Sequence, residues 1–498
     1  MDRAELPTQL YLAEQVRQGE RQAARLMNLD LYCLMERAGL AVFDYMTEAF
    51  PSSTDILVCC GGGNNGGDGY VVARLALLAG YSVRVWHVGD PTQLTGDAAK
   101  AKQAWLAAGG HILKPEPCLP ESVGVVIDAI LGIGLTGLVR PNALELIKAI
   151  NMSCLPVIAV DTPSGVCADT GQVLGGAIKA QATITFIGCK QGLLTGQAVN
   201  YVGELILAGL EVESVFQSIC QPSTKRVTRN DLVSCLGSRK RSAHKGDHGR
   251  ILCVGGDRGM GGAIRLAAEA AARSGAGLTA VLTQPDNVLS IIAAVPEIMA
   301  QGWQEKAHEA SQKLAWAKVV VLGPGLGLSD WSKALFFYFA HSEKKMVLDA
   351  DGLNLLALSP DYKNNRIITP HPGEAARLLQ CTIADIEADR FAAVKALQHK
   401  YGGVAVLKGA GSLIYDGADC WLCTAGNPGM ATGGMGDILS GIIGALAGQG
   451  LTLSDASRIG VLIHSLAADL CAKDGERGML ASDLFPHIRQ LVNPKLRT

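Results

Sequence analysis

The chain has 498 residues, 48% hydrophobic and 18% charged, which is more apolar material than one ordinary domain uses and points to two. With 44 Lys and Arg against 46 Asp and Glu the formal net charge is −2, so no global field draws the chain to nucleic acid or to an anionic membrane. No uninterrupted apolar run approaches the roughly 18 residues of a membrane span, and the acid-bearing opening MDRAELPTQLYLAEQVRQGERQAAR lacks the apolar stretch of a secretory signal.

From about residue 8 to 50 the pattern is helical. DILVCC (55–60), SVRVWHV (82–88), VGVVID (123–128), PVIAVD (156–161) and QATITFI (181–187) follow as short β-branched runs, with Ala- and Leu-rich helical stretches between most of them. Unbroken apolar runs, rather than alternating ones, predict parallel strands buried on both faces. Residues from about 212 to 249 are polar and basic and read as a linker plus the entry to a second domain, with Arg239-Lys240-Arg241 as solvated linker charge. A second βα series then runs through RILCVGG (250–256), LTAVL (278–282), KVVVLG (318–323), KMVLDA (345–350), RIITP (366–370) and GVAVLKG (403–409). It closes with a helix after Asp437 and another around 454–472. Fourteen cysteines, several inside apolar runs (Cys59, Cys60, Cys253), fit reduced thiols in a cytoplasm. Cys420 and Cys423 form the one C-x-x-C. Residues three apart in a strand face opposite ways, and no second pair completes a zinc site.

In the first half, the strand 55–60 runs into Gly61-x-Gly63-x-x-Gly66, formally a dinucleotide fingerprint, with Asp90 at about the right distance. The denser feature is Asn64-Asn65-Gly66-Gly67-Asp68 at a helix start. There glycines let backbone N–H groups approach an anion, and Asn and Asp add oxygen ligands or hydrogen bonds. Asp128 ends another strand before a second glycine loop (Gly132, Gly134, Gly137), and Asp161 ends the next before Ser164 and Gly165. Ligands of open α/β sheets bind outside the carboxyl ends of strands, so the three crests converge on one site.

In the second half there is no G-x-x-x-x-G-K-[ST] and no H-E-x-x-H. Instead Gly433-Gly434-Met435-Gly436-Asp437 presents backbone N–H groups and a carboxylate where a glycine loop becomes an apolar helix. Such N–H groups stabilise charge on a transferred phosphate, and the carboxylate can take a proton from an attacking alcohol. GPGLG (323–327), VLDADGLN (347–354), TPHPGEAARLL (369–379, with His371 and Glu374) and Lys408-Gly409, with Ser412 just beyond, furnish further strand-end loops.

NNGGDG, the D-x3-G-x-G-x-x-G segment from Asp128 and the V-D-x-P-S-G segment from Val160 together resemble the epimerase domain of NAD(P)H-hydrate repair enzymes, over roughly residues 10–210. The resemblance implies a potassium ion held by Asn65, Asp128 and Ser164. It also implies contacts to the hydrated dinucleotide from Asn64, Asn65, Gly66, Gly67 and Asp68 and from Gly132, Ile133, Gly134, Leu135, Thr136, Gly137 and Leu138. Asp161 then faces the reacting ring as acid–base group. Over about 225–490 the G-x-G-D signature at Gly434–Asp437 resembles the ribokinase-like superfamily. CVGGDRGMGGAIRLAAEAAARSGAGL, GPGLG, LDADGLN, PHPGE and GNPGMATGGMGD, in order, resemble its ADP- or ATP-dependent NAD(P)H-hydrate dehydratases. This implies that Ala263, Gly325, His371 and Asp437 line the hydrate site. Lys408, Gly409, Ala410, Gly411, Ser412 and Gly436 would hold the adenine nucleotide, and magnesium would bridge its phosphates with Glu374, Asp349 and Asp351 as outer-shell candidates.

The expected architecture is therefore α/β with two domains: a Rossmann-like three-layer sandwich at 1–215 and a ribokinase-like α/β domain at 225–498. The expected function is repair of hydrated NADH and NADPH, by epimerisation and then ADP-dependent dehydration through Asp437. The expected partners are these small molecules, without nucleic acid or membrane, in a cytoplasmic homo-oligomer. The alternative is a small-alcohol kinase fused to a non-catalytic nucleotide-binding module.

Overall fold

The computed structural model describes residues 6–304 and 306–494. The chain divides into two compact units, Met1–Thr224 and Lys225–Thr498.

In the first unit the described residues form a seven-stranded sheet from β1 (Asp55–Cys60), β2 (Ser82–His87), β3 (Ile112–Leu113), β4 (Val125–Ala129), β5 (Val157–Val160), β6 (Ala182–Phe186) and β7 (Glu204–Ala208). Every pairing is parallel and the order is β3-β2-β1-β4-β5-β6-β7. Alternate strand residues serve two separate cores. Ile56, Val58, Val125 and Ile127 pack with the helices Ala13–Leu26, Leu31–Ala49 and Asn64–Leu78, while Leu57, Cys59 and Val126 pack with Pro141–Met152. Helices on both faces are why the runs are continuously apolar. Strand order reverses between β1 and β4, and at such a switch point the carboxyl ends diverge to leave a crevice.

In the second unit the strands are β8 (Thr224–Arg226), β9 (Arg250–Val254), β10 (Leu278–Thr283), β11 (Met299–Gly302), β12 (Val319–Leu322), β13 (Lys345–Leu348), β14 (Arg366–Ile368), β15 (Val404–Leu407), β16 (Ser412–Tyr415) and β17 (Cys420–Cys423). They lie in the order β8-β17-β16-β15-β14-β13-β12-β9-β10-β11. From β15 to β11 the pairs are parallel, whereas β16 turns back antiparallel on β15 and β17 on β16. The helix Met435–Gly448 has 12 of its 14 residues buried; the two less buried are Gly436 and Asp437. It approaches helix Gly261–Arg273 closely enough that a Cβ on Gly441 would lie 2.1 Å from the Ala267 carbonyl oxygen. That contact requires glycine.

The region 212–249 is more than a linker. It forms helices Glu213–Ile219 and Arg229–Cys235 with β8 between them. Its polar sequence concealed them because each buries few side chains, chiefly Phe216 and Leu232. Arg239 donates to the Gly275 carbonyl at 2.5 Å and to Gln449 Oε1 at 2.8 Å, so this basic cluster is partly a structural tie. Strands β3, β7, β8, β11 and β16 were not expected either; several are short, half-buried edge pieces. Cys420 and Cys423 lie in β17, and all cysteines among the described residues are free thiols. No helix of the described residues is long and apolar enough to cross a membrane.

Candidate active sites

The first unit holds a cavity of about 1060 Å³ at the carboxyl ends of β1, β4 and β5. Its floor begins where β1 turns into helix Asn64–Leu78. The turn is very tight: a Cβ on Gly66 would sit 2.0 Å from the Gly61 carbonyl oxygen. Asn64, Asn65, Asp68, Gly132, Ile133, Gly134, Leu135, Thr136, Leu138 and Asp161 line the cavity, as expected from the sequence. Gly66, Gly67 and Gly137 are not among its lining residues; Gly67 packs against Met35. Asp90 also lines it, while capping a turn by accepting the Thr92 N–H at 2.9 Å.

Beside this floor Asn65, Asp128 and Ser164 come together. The Ser164 hydroxyl donates to Asp128 Oδ1 at 2.6 Å and its N–H donates to Oδ2 at 2.8 Å. Burial pushes the Asp128 carboxyl up to about 6, against the pull of these two bonds. Asn65 Nδ2 donates to the Leu131 carbonyl at 3.1 Å, but Asn65 Oδ1 is buried with no partner. An unsatisfied buried oxygen beside a carboxylate and a hydroxyl has the donor chemistry of a hard-cation site.

Asp161 stands at the end of β5 with φ +65°, a conformation uncommon outside glycine. Its Oδ1 accepts from Lys190 Nζ at 2.5 Å, from Thr185 Oγ1 at 3.2 Å and from the Phe186 N–H at 3.2 Å. Lys190, only 1% exposed, donates also to Thr185 Oγ1 and the Phe186 carbonyl, both at 3.1 Å. Sequence reasoning missed Lys190 because GCKQG carries no motif. It also missed Glu20, Arg17 and Arg21, which line the cavity from the N-terminal helix.

In the second unit the carboxyl ends of β12 to β15 and the head of helix Met435–Gly448 meet. Gly434 caps that helix in the left-handed region (φ +90°), which places Asp437 at the third helical position rather than at the cap. Lys408, after β15, is half-buried against two carboxylates: Nζ lies 2.9 Å from Asp349 Oδ1 and 3.7 Å from Glu374 Oε2. Asp349 Oδ2 accepts from Ser440 on the same helix at 2.6 Å. A Cβ on Gly436 would stand 3.3 Å from Lys408 Nζ and 3.4 Å from Asp349 Oδ2, so the glycine leaves room for this cluster at the helix head.

Burial, followed by the Asp349 charge, pushes the Asp437 carboxyl up to about 7, with Lys408 opposing and Glu374 and Asp351 adding to the rise. Burial works against an ionised Asp349 too, but Lys408 and Ser440 outweigh it and hold that carboxyl below the ordinary range. Lys408 is itself raised: burial opposes its charge, and Asp349 and Glu374 overcome that.

The other expected residues surround this centre. Gly325 (φ +57°) packs against Ala263, where a Cβ would lie 3.0 Å from the alanine's own. Two residues on, the Gly327 N–H donates to Asp351 Oδ2 at 2.8 Å. The Gly325 carbonyl accepts from the Asp257 N–H at 2.7 Å, and Asp257 lines a second cavity of about 540 Å³ with Gln284, Trp303 and Trp331. His371 caps its own helix: Nδ1 accepts from Gly373 N–H at 2.9 Å and Glu374 N–H at 3.3 Å, while Glu374 Oε2 accepts from His371 N–H at 2.8 Å. Lys408–Gly411 form the turn from β15 to β16, and Ser412 opens β16. Arg390, buried and missed in the sequence, donates to the Lys408 carbonyl at 3.1 Å and pairs with Glu387 at 2.7 Å.

Residues 31–192 match the family model described as YjeF-related protein N-terminus, and residues 251–490 match the one described as NAD(P)H-hydrate dehydratase. The bifunctional NAD(P)H-hydrate repair enzyme Nnr of Vibrio cholerae is 51% identical over 489 residues, covering 98% of this chain and 99% of its own length. The chain belongs to the bifunctional NAD(P)H-hydrate repair enzymes. The Escherichia coli relative of the same name is 47% identical, with 99% of this chain and 95% of that protein covered. Among solved structures, a ribokinase-like superfamily protein from Enterococcus faecalis matches 54% of this chain and 95% of its own, at 30% identity and TM-score 0.51. The protein is thus a bifunctional epimerase and dehydratase of hydrated NADH and NADPH, on a two-domain α/β fold with a ribokinase-like C-terminal part. This replaces the small-alcohol kinase alternative. It also explains why the chain carries two unlike centres: if dehydration takes one epimer, the epimerase supplies it from the other.

Proposed function

We propose that residues 1–215 carry the epimerase and 225–498 the ADP-dependent dehydratase of the S hydrate, with Asp437 as general base of the second reaction. The observation that carries this is the Asp437 carboxyl, pushed up to about 7 at the head of a glycine-opened helix. A base poised near neutrality is the kind a hydroxyl nucleophile needs. Asp437 takes the hydrate's hydroxyl proton as that oxygen attacks the terminal phosphorus of ADP, and AMP leaves. The phosphate ester then eliminates: the neighbouring carbon loses a proton, the C–O bond breaks and the ring double bond returns. Backbone N–H groups at Met435 and Gly436, with Lys408, offset charge on the transferring phosphoryl group. Ala263, Gly325 and His371 border the hydrate, and Lys408–Ser412 with Gly436 border the nucleotide.

Magnesium supplies charge neutralisation on the phosphates. Of the three outer-shell candidates Glu374 suits it best, because Asp349 is engaged at both oxygens, Asp351 accepts from Gly327 and Asn354, and among the described residues Glu374 Oε1 has only His371 Nε2 near it, at 3.6 Å. In the epimerase, Asn65, Asp128 and Ser164 would hold potassium, which supplies fixed positive charge beside the glycine loops. The orphaned Asn65 Oδ1 supports that fit. Asp161 exchanges protons with the hydrated ring carbon's substituents. A homo-oligomer completes the reading and is checked by light scattering.

The test supplies mixed epimers with ADP and follows each separately. Asp437→Ala is expected to slow dehydration by about 10²–10⁴-fold while epimer exchange persists. Asp161→Ala is expected to show the reverse. Unchanged dehydration in Asp437→Ala ends the proposal.

A further inference from the structure

Five carboxyl groups and one ammonium line the epimerase cavity; Asp90 is held by Thr92 and Asp97 by Lys100, which leaves Glu20, Asp68, Asp161 and Lys190 to consider. Their environments differ sharply. Asp161 Oδ1 faces three donors, an acceptor-only setting that suits a carboxylate. Glu20 projects from helix Ala13–Leu26, next to the buried positions Val16, Gly19 and Ala23 of the same helix, and is half-buried at the cavity wall. Among the described residues its carboxyl has no hydrogen bond and no ion pair. The charges that act on it most are those of Asp161, Lys190, Arg21 and Arg17, and its own charge acts on Asp68.

The chemistry needs both protonation states at once. Water adds to an enamine at the carbon bound to nitrogen, so the hydrated carbon carries a hydroxyl and the ring nitrogen. Its configuration is scrambled, with no net change in composition, when the C–N bond opens and recloses. On opening, a base takes the hydroxyl proton, the freed oxygen pair makes the C=O bond, and the C–N pair passes to nitrogen, which takes a proton from an acid. Rotation about the adjacent C–C bond turns the other carbonyl face to nitrogen. Reclosure forms C–N again and returns each proton to its donor.

We propose that Glu20 is the general acid of epimerisation, protonating the ring nitrogen while Asp161 acts as the base on the hydroxyl. The proposal rests on the reading of Asp161 at the reacting ring. Glu20 lines the cavity with its carboxyl free of any donor among the described residues, and burial, then the Asp161 charge, raise it above its ordinary value, which suits it to hold the proton an acid must give. Burial, then the Asp161 and Glu20 charges, raise the Asp68 carboxyl as well. Glu20 is the better shuttle because Lys190, Arg21 and Arg17 support the carboxylate it becomes, whereas Lys190 alone supports Asp68.

The experiment uses the full chain, one purified epimer of hydrated NADH and no ADP, with the epimer ratio followed by chromatography. Glu20→Gln is expected to lower kcat by about 10²–10⁴-fold with KM within about threefold of the parent, an unchanged melting temperature and unchanged dehydration of the S hydrate. The parent's rate declines at alkaline pH as the acid loses its proton. That limb disappears in Glu20→Gln and persists, with partial activity, in Glu20→Asp. A Glu20→Gln rate near the parent's, a loss confined to KM or to melting, or an alkaline limb that vanishes with Asp68→Asn instead overturns the proposal. Asp161→Asn, measured in parallel, separates the causes: full activity there removes the Asp161 reading itself, whereas an inactive Asp161→Asn beside an active Glu20→Gln removes Glu20 alone.

Discussion

Asp161 in the first unit and Asp437 in the second each stand close to a lysine, Lys190 buried and Lys408 half-buried, and the two lysines are used differently. Lys190 bonds Asp161 itself, together with a threonine hydroxyl and a backbone N–H, and so favours a standing carboxylate. Lys408 bonds Asp349 instead, which leaves Asp437 among like charges, its carboxyl pushed up to about 7 by burial and Asp349. The lesson is that a neighbouring acid can absorb the lysine's charge and leave the reacting group poised to exchange protons near neutral pH. One unit pairs its aspartate directly with the lysine; the other leaves its aspartate unpaired by diverting that partner.

The harshest way to break this contrast removes a lysine. Lys408→Met leaves Asp349 buried and unpaired, and is expected to destabilise the dehydratase unit by about 3–5 kcal/mol in chemical denaturation. Less severe is Asn65→Leu, which deletes the orphaned oxygen. The potassium concentration for half-maximal epimerisation is expected to rise about 10–100-fold, while dehydration at saturating ADP stays unchanged. A stabilising change comes next. The Asp437 carboxyl lies near 7 folded against 3.8 for the free side chain, so its charge costs stability at pH 8 and costs nothing below about pH 4. Asp437→Asn is therefore expected to gain about 1–3 kcal/mol at pH 8, a gain that fades by pH 4, in paired thermal melts. Glu374→Gln should have the smallest effect on tuning: removing one charge that raises Asp437 moves the acid limb of dehydration to lower pH.

Much of this organisation was legible in the sequence. The βα alternation located β1, β4, β5 and β12 to β15 within a residue or two, because strands buried on both faces must be continuously apolar. The glycine loops located the two centres, since close backbone approach at Gly61 and Gly66 and the left-handed backbone at Gly434 leave little choice of residue. The short strands escaped notice, as did the helices within 212–249, because they bury too few side chains to impose a period. Lys190, Glu20 and Arg390 were missed for a different reason. Lys190 acts on Asp161 and Arg390 on Lys408, partners distant in sequence, and Glu20 reaches the cavity from a helix far along the chain from its glycine loops; no local pattern records such a placement. His371 was recognised as special, but its local role is to cap the helix that holds Glu374.

The most direct test of the central claim is the pH profile of dehydration, kcat/KM measured on the purified S hydrate with saturating ADP between pH 5 and 9. A base must be deprotonated to act, so the account predicts a rate that falls about tenfold per unit below a pH near 7 and is level above it. A profile that stays flat down to pH 5 would contradict it, because the working group would then be an ordinary carboxylate and not the tuned acid at the head of the buried helix.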